Sequence, residues 1–178
     1  MKKFSYLFFV FFLATSCSKE PQSNVQLQDL VDNISVQKLG QRLIDLPFGL
    51  NKLEPTLEEA EEIFIGIHGG SSEGYEWVYP LKTINTEKKE MYFYRWPDNG
   101  CFQDSAEQLI TLIDSILKLR PALTKVTLIG HSYGGILVSH ALKNWSNKTP
   151  IEAHIVASPL LGTTMLNNLC NYSPITKI

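Results

Sequence analysis

Between positions 63 and 157 the chain alternates short apolar runs, rich in β-branched residues, with stretches of helical periodicity. Few folds tolerate that rhythm. Residues 63–67 (IFIGI) and 91–96 (MYFYRW) read as strands, the second stopped by the turn signal Pro97-Asp98-Asn99-Gly100. Residues 125–130 (KVTLIG) and 151–157 (IEAHIVA) read as two more. Between them lie three helical stretches. Residues 74–82 form a short one, which Pro80 is expected to limit. Residues 105–119 form the strongest, with Leu109, Ile110, Leu112, Ile113, Ile116 and Leu117 on its apolar side and Pro121 closing it. Residues 134–144 form the third. Parallel strands need long crossover connections, and helices of this length supply them. The expected fold class is therefore α/β, with a doubly wound, mostly parallel sheet and helices on both faces.

Upstream the pattern is looser. Residues 27–46 have helical spacing, weakened by Gly40 and broken by Pro47 and Gly49. Thr56-Leu57-Glu58-Glu59 has capping-box spacing, which predicts a short helical turn. The whole chain of 178 residues, 44% of them hydrophobic and with a net charge of −2, has the material for one globular domain. It lacks the basic excess of an electrostatic nucleic-acid binder, so no nucleic acid is expected as a partner.

The first sixteen residues distort those averages. Lys2 and Lys3 precede an eleven-residue apolar run over 4–14, and the small residues Ala14-Thr15-Ser16 lead to Cys17. This is the layout of a secretory signal peptide, and the run is too short to span a bilayer. A cysteine directly after the small residues resembles a bacterial lipoprotein signal, with Cys17 as the lipidated residue. Ala14 stands three positions before the cysteine, where Leu is usual. Plain secretion and a retained anchor are the other readings. The expected organisation is a signal peptide at 1–16, a polar tether at 17–26 and a partial catalytic-type domain at 27–178. Loss of the leader moves the formal charge from −2 to −4. The expected location is the cell envelope. In an oxidising compartment Cys101 and Cys170 either pair or stay as buried thiols.

Gly130-His131-Ser132-Tyr133-Gly134 matches G-x-S-x-G and lies between a predicted strand and a predicted helix. There the chain must turn sharply with Ser132 at the apex, and flanking glycines avoid a Cβ clash; this is the nucleophile elbow. About sixty residues earlier, strand 63–67 ends in His68-Gly69-Gly70, whose backbone N–H groups could point at a developing oxyanion together with that of Tyr133.

On these residues the chain resembles an α/β-hydrolase of the esterase/lipase type, over about residues 60–165. IFIGIHGG, the YRW strand end at Tyr94–Trp96, LIGHSYGG at Leu128–Gly135 and IVASPLLG at Ile155–Gly162 carry the resemblance. It implies Ser132 as nucleophile and the N–H groups of Tyr133 and of Gly69 or Gly70 as oxyanion donors. It also implies small-molecule or lipid ester substrates. No metal or other cofactor is expected, because the four histidines and three cysteines lack ligand spacing and the G-x-S-x-G lacks a P-loop lysine.

The sequence departs from the family after Ser132. The triad there runs Ser, then Asp or Glu, then His. Beyond Ser132 this chain offers Glu152, His140 and His154 and no Asp. His140 is two helical turns on, and Glu152 and His154 share one face of a strand instead of occupying loops at its end. His68 is a substitute base or a loop-orienting residue, and Asp98 a displaced acid or a turn cap. The reading is therefore a serine hydrolase truncated at its C-terminal side, impaired by the missing acid and base. The alternative is an inactive or binding-only remnant.

Overall fold

The computed structural model describes residues 22–26, 35–54, 59–85 and 88–161. Outside them lie the predicted signal, Cys17, the start of the first helical stretch, the Thr56 turn and the tail with Cys170. Among the described residues the element order is β1 (Gln22–Gln26), α1 (Val36–Ile44), β2 (Gly49–Glu54), β3 (Glu62–Ile67), α2 (Tyr75–Ile84), β4 (Lys89–Arg95), α3 (Phe102–Leu119), β5 (Lys125–His131), α4 (Tyr133–Lys143) and β6 (Ile151–Val156). The strands form one sheet in the order β1-β2-β4-β3-β5-β6. β4, β3, β5 and β6 run parallel, and β2 is antiparallel to β4. The architecture is the doubly wound, mostly parallel α/β sheet that the alternation predicts.

Strand periodicity sorts the core into two layers. Ile63, Ile65 and Ile67 of β3, Tyr92 and Tyr94 of β4, and Val126 and Leu128 of β5 face α3 and α4, where Phe102, Leu109, Ile113, Ile136 and Leu137 are buried against them. The alternate residues Phe64, Met91 and Phe93 face α1 and α2, meeting Leu39, Leu43, Trp77, Val78 and Leu81. β3 and β4 are buried on both faces, as a central parallel strand must be, so their runs are continuously apolar. β6 alternates instead: Ile151, Ala153 and Ile155 are partly buried on the α4 side, and Glu152, His154 and Val156 are exposed.

Four local features differ from the sequence reading. Residues 22–26, within the stretch read as a tether, form β1 and pair with β2. β2 itself was not predicted: Leu50 and Leu53 lack strand alternation, and the polar Asn51 and Lys52 are buried. Asn51 is satisfied by donating to Pro47 O at 2.8 Å and Gly49 O at 3.1 Å. Pro80 does not limit α2, which continues to Ile84. The proline costs one backbone hydrogen bond, but Trp77, Val78 and Leu81 bury on both sides of it and outweigh that loss. Gly40 is not a weakness in α1. A Cβ there would lie 2.4 Å from Tyr75 N, so glycine permits the close crossing of α1 on the start of α2.

At the N-terminal end of β4, Glu90 is fully buried. Lys52 Nζ lies 3.3 Å from its carboxylate, the Tyr92 hydroxyl donates to it at 3.1 Å, and Arg120 pairs with it from the end of α3. This ion cluster ties β2, β4 and α3 together at the edge opposite the candidate site.

Candidate active site

The strand order places the site. From β3 the chain crosses to β4 on one side, then returns past β3 to β5 and β6 on the other. β3 and β5 therefore flank the point where the winding reverses, which is where open α/β sheets bind ligands, beyond the carboxyl ends of the strands. In register, Ile67 lies opposite Tyr94 on one side and Gly130 on the other. The loops after β3, β4 and β5 thus start level with one another, which brings His68-Gly69-Gly70, Trp96-Asp98 and Ser132 to one edge.

Ser132 occupies the single residue between β5 and α4, at φ 53° and ψ −120°. Positive φ is costly for a residue with a Cβ, of order 1–3 kcal/mol, and persists only where the surroundings enforce it. They do so here. The Ser132 N–H donates to Val156 O at 2.9 Å, and its carbonyl accepts from Gly135 N–H at 3.0 Å. A Cβ at Gly134 would lie 2.4 Å from His68 O, and one at Gly130 would lie 2.6 Å from Gly134 O. The Ser132 side chain makes no capping bond to α4, which leaves the hydroxyl available for chemistry.

The loop after β3 lies against this apex. A Cβ on Gly69 would be 2.9 Å from Ser132 Cβ and 3.0 Å from His131 O, whereas one on Gly70 would only touch the Tyr133 ring at 3.8 Å. Tyr133 begins α4, where the helix dipole favours a developing negative charge. Its ring packs edge-on to Trp96 and Phe102, and its hydroxyl donates to Gly100 O at 2.8 Å. Ser132, Gly69, Gly70, Tyr133 and the elbow residues Gly130, His131 and Gly134 are thus brought together.

The four histidines behave differently from one another. His68 is completely buried, stacked between Phe93 and Trp96 at 5.9 and 5.7 Å. Its Nε2 accepts from Arg95 Nη1 at 2.8 Å and from Trp96 N–H at 3.3 Å, so the proton sits on Nδ1 and is donated to Gly69 O at 2.8 Å. Burial holds its pKa below the ordinary imidazole value. The Gly69 carbonyl works against this and Arg95 reinforces it. With both nitrogens engaged, His68 orients the loop and is not a base. His140 lies edge-on to Phe102 on α4, away from the apex. His154 Nε2 bonds Glu152 at 3.0 Å on the exposed face of β6, and Lys125 joins Glu152 at 2.6 Å. The Lys125 ammonium holds the Glu152 carboxyl below its usual range. His131 Nδ1 is buried without a partner beside Gly69. Among the described residues no histidine is hydrogen-bonded to Ser132.

Sequence reasoning named Trp96 and Asp98 but not the contacts by which they hold the loop. Trp96 Nε1 donates to His68 O at 3.0 Å, and Asp98 Oδ2 accepts the N–H of Ser71 at 2.5 Å. Asp98 is thus neither a turn cap alone nor an acid facing a histidine. The strand register could have signalled this, since Tyr94 is level with Ile67 and the residues just beyond each must meet. Cys101 is half-buried at the start of α3. Among the described residues no His, Cys, Asp and Glu cluster could hold a metal ion.

No family model matches the chain, and no curated protein does. Among solved structures, the chain is similar to the Bacillus licheniformis lipase BlEst2 in its mature form. The identity is 17% and the TM-score 0.49, with 65% of this chain and 49% of that one covered. This chain spans about half the length of the lipase it matches.

Proposed function

We propose that the chain carries the nucleophile and oxyanion half of a serine hydrolase of the α/β-hydrolase type, acting on small-molecule or lipid carboxylic esters. The observation that carries this reading is the strained apex: a serine at φ 53° between strand and helix, with Gly69 packed against its Cβ. Strained residues of that kind cluster at functional sites, and this one sits where the winding of the sheet reverses. In the proposed step Ser132 Oγ adds to the ester carbonyl carbon and gives its proton to a general base. The carbonyl oxygen takes the negative charge and is held by the N–H groups of Tyr133 and of Gly69 or Gly70. Collapse breaks the bond to the alkoxy oxygen, which leaves with a proton as the alcohol, and water then cleaves the acyl-enzyme. Purified chain should release p-nitrophenol from p-nitrophenyl butyrate faster than its Ser132→Ala variant. Equal rates would sink the reading.

The histidine positions favour a second reading. All four histidines are among the described residues and none bonds Ser132, so the general base has no assigned residue. A chain with the apex and the oxyanion loop but no base would bind acyl groups without turnover. It would be folded, stabilised against heat by a boronic acid, and inert towards esters.

Export and anchoring belong to the same proposal. Cys17 would carry the acyl chains that hold the domain at an envelope membrane, since several chains are needed for stable anchoring. Palmitate incorporation lost in Cys17→Ala supports it; incorporation unchanged by that substitution does not.

A further inference from the structure

We infer that the turn after β4 is a clamp that sets the oxyanion loop against Ser132, with Asp98 as its positioning residue; this rests on the ester-hydrolase reading above. Gly69 approaches Ser132 so closely that no side chain fits between them, so small drifts of the loop change the geometry at the nucleophile. Ser71, at φ 54°, sits in a left-handed conformation that a serine adopts only when something enforces it. The Asp98 carboxylate does so by accepting the Ser71 N–H in a charge-assisted bond at the exposed rim of the loop. Arg95 and Trp96 hold the other end of the loop through both sides of His68. The same turn reaches the nucleophile side: Gly100 O accepts the Tyr133 hydroxyl. One turn thus fixes both expected sources of oxyanion donors in a common frame, and the donors must converge on one oxygen to within a few tenths of an ångström.

A clamp differs from a structural prop in what its loss changes. Asp98→Ala should slow fluorophosphonate labelling of Ser132 about 10- to 100-fold, less than outright deletion of an oxyanion donor. For p-nitrophenyl butyrate the loss should fall in kcat, with KM within about twofold. The Ser71 amide should lose its protection from hydrogen exchange, and the thermal midpoint should hold. Asp98→Asn keeps an oxygen acceptor and should recover most of the labelling rate; it also serves if Asp98→Ala does not fold. Equal labelling rates in wild type and Asp98→Ala, or a Ser71 amide unprotected in the wild type, overturn the inference and leave the Ser132 reading standing. A folded wild type that takes no label overturns both.

Discussion

The backbone at Ser132 is held in a conformation that glycine would adopt without cost. Ser132→Gly therefore releases strain of about 1–3 kcal/mol and gives back about 0.5–1 kcal/mol in unfolded-chain entropy. A net gain of about 1 kcal/mol is expected in urea unfolding, with labelling abolished. A loss of stability instead would mean that the apex is not strained. His68 makes a second statement at this scale. Its folded pKa lies below the usual imidazole value of about 6.5, so the unfolded chain binds more protons as pH falls through that value. The contribution of neutral His68 is complete above about pH 6.5 and is lost below it, towards the lowered folded value. The wild type should lose more stability between pH 7.5 and 5.5 than His68→Gln. Parallel losses in the two proteins would contradict the assignment of a neutral, Nδ1-protonated ring.

Charged residues on different strands carry very different weight. Glu90 on β4 is buried between Lys52 and Arg120, so Glu90→Gln leaves two cations facing a neutral amide. Breaking a buried pair in this way costs about 3–5 kcal/mol, readable as a shift in the urea midpoint. Glu152 on β6 also has two partners, but all three groups are exposed, and Glu152→Gln should leave the midpoint unchanged. A similar shift for both would refute the distinction. The elements that sequence reading found and missed divide along related lines. β3, β4 and β5 are legible because burial on both faces demands continuous apolar runs. α3 is legible because Leu109, Ile113 and their neighbours repeat along one face. β2 is illegible because its status as a strand comes from its pairing with β4, not from its own pattern. Pro80 misleads because propensity is local, whereas the burial of Trp77 and Leu81 that overrides it is not.

Taken whole, the molecule is a sheet whose winding reverses between β3 and β5, so two loops far apart in sequence meet at one edge. The tight turn at Ser132 could be read from the sequence because a Cβ at Gly130 or Gly134 would clash with the neighbouring backbone. The loop proposed to supply oxyanion donors could be placed from His68-Gly69-Gly70 at a strand end, and the structure sets Gly69 against Ser132. The clamp could not, because Asp98 and Ser71 are separated by 27 positions and joined only by register. The engagement of both His68 nitrogens by Arg95, Trp96 and Gly69 also emerges only in three dimensions. The central claim is that Ser132 is a nucleophile set beside the N–H groups proposed to hold the oxyanion. Intact-mass and peptide mass spectrometry after treatment with a fluorophosphonate tests it most directly. Loss of fluoride and a single phosphonyl adduct on the peptide containing Ser132, absent in Ser132→Ala, is the expected result. A folded protein that stays unmodified at Ser132 would contradict it.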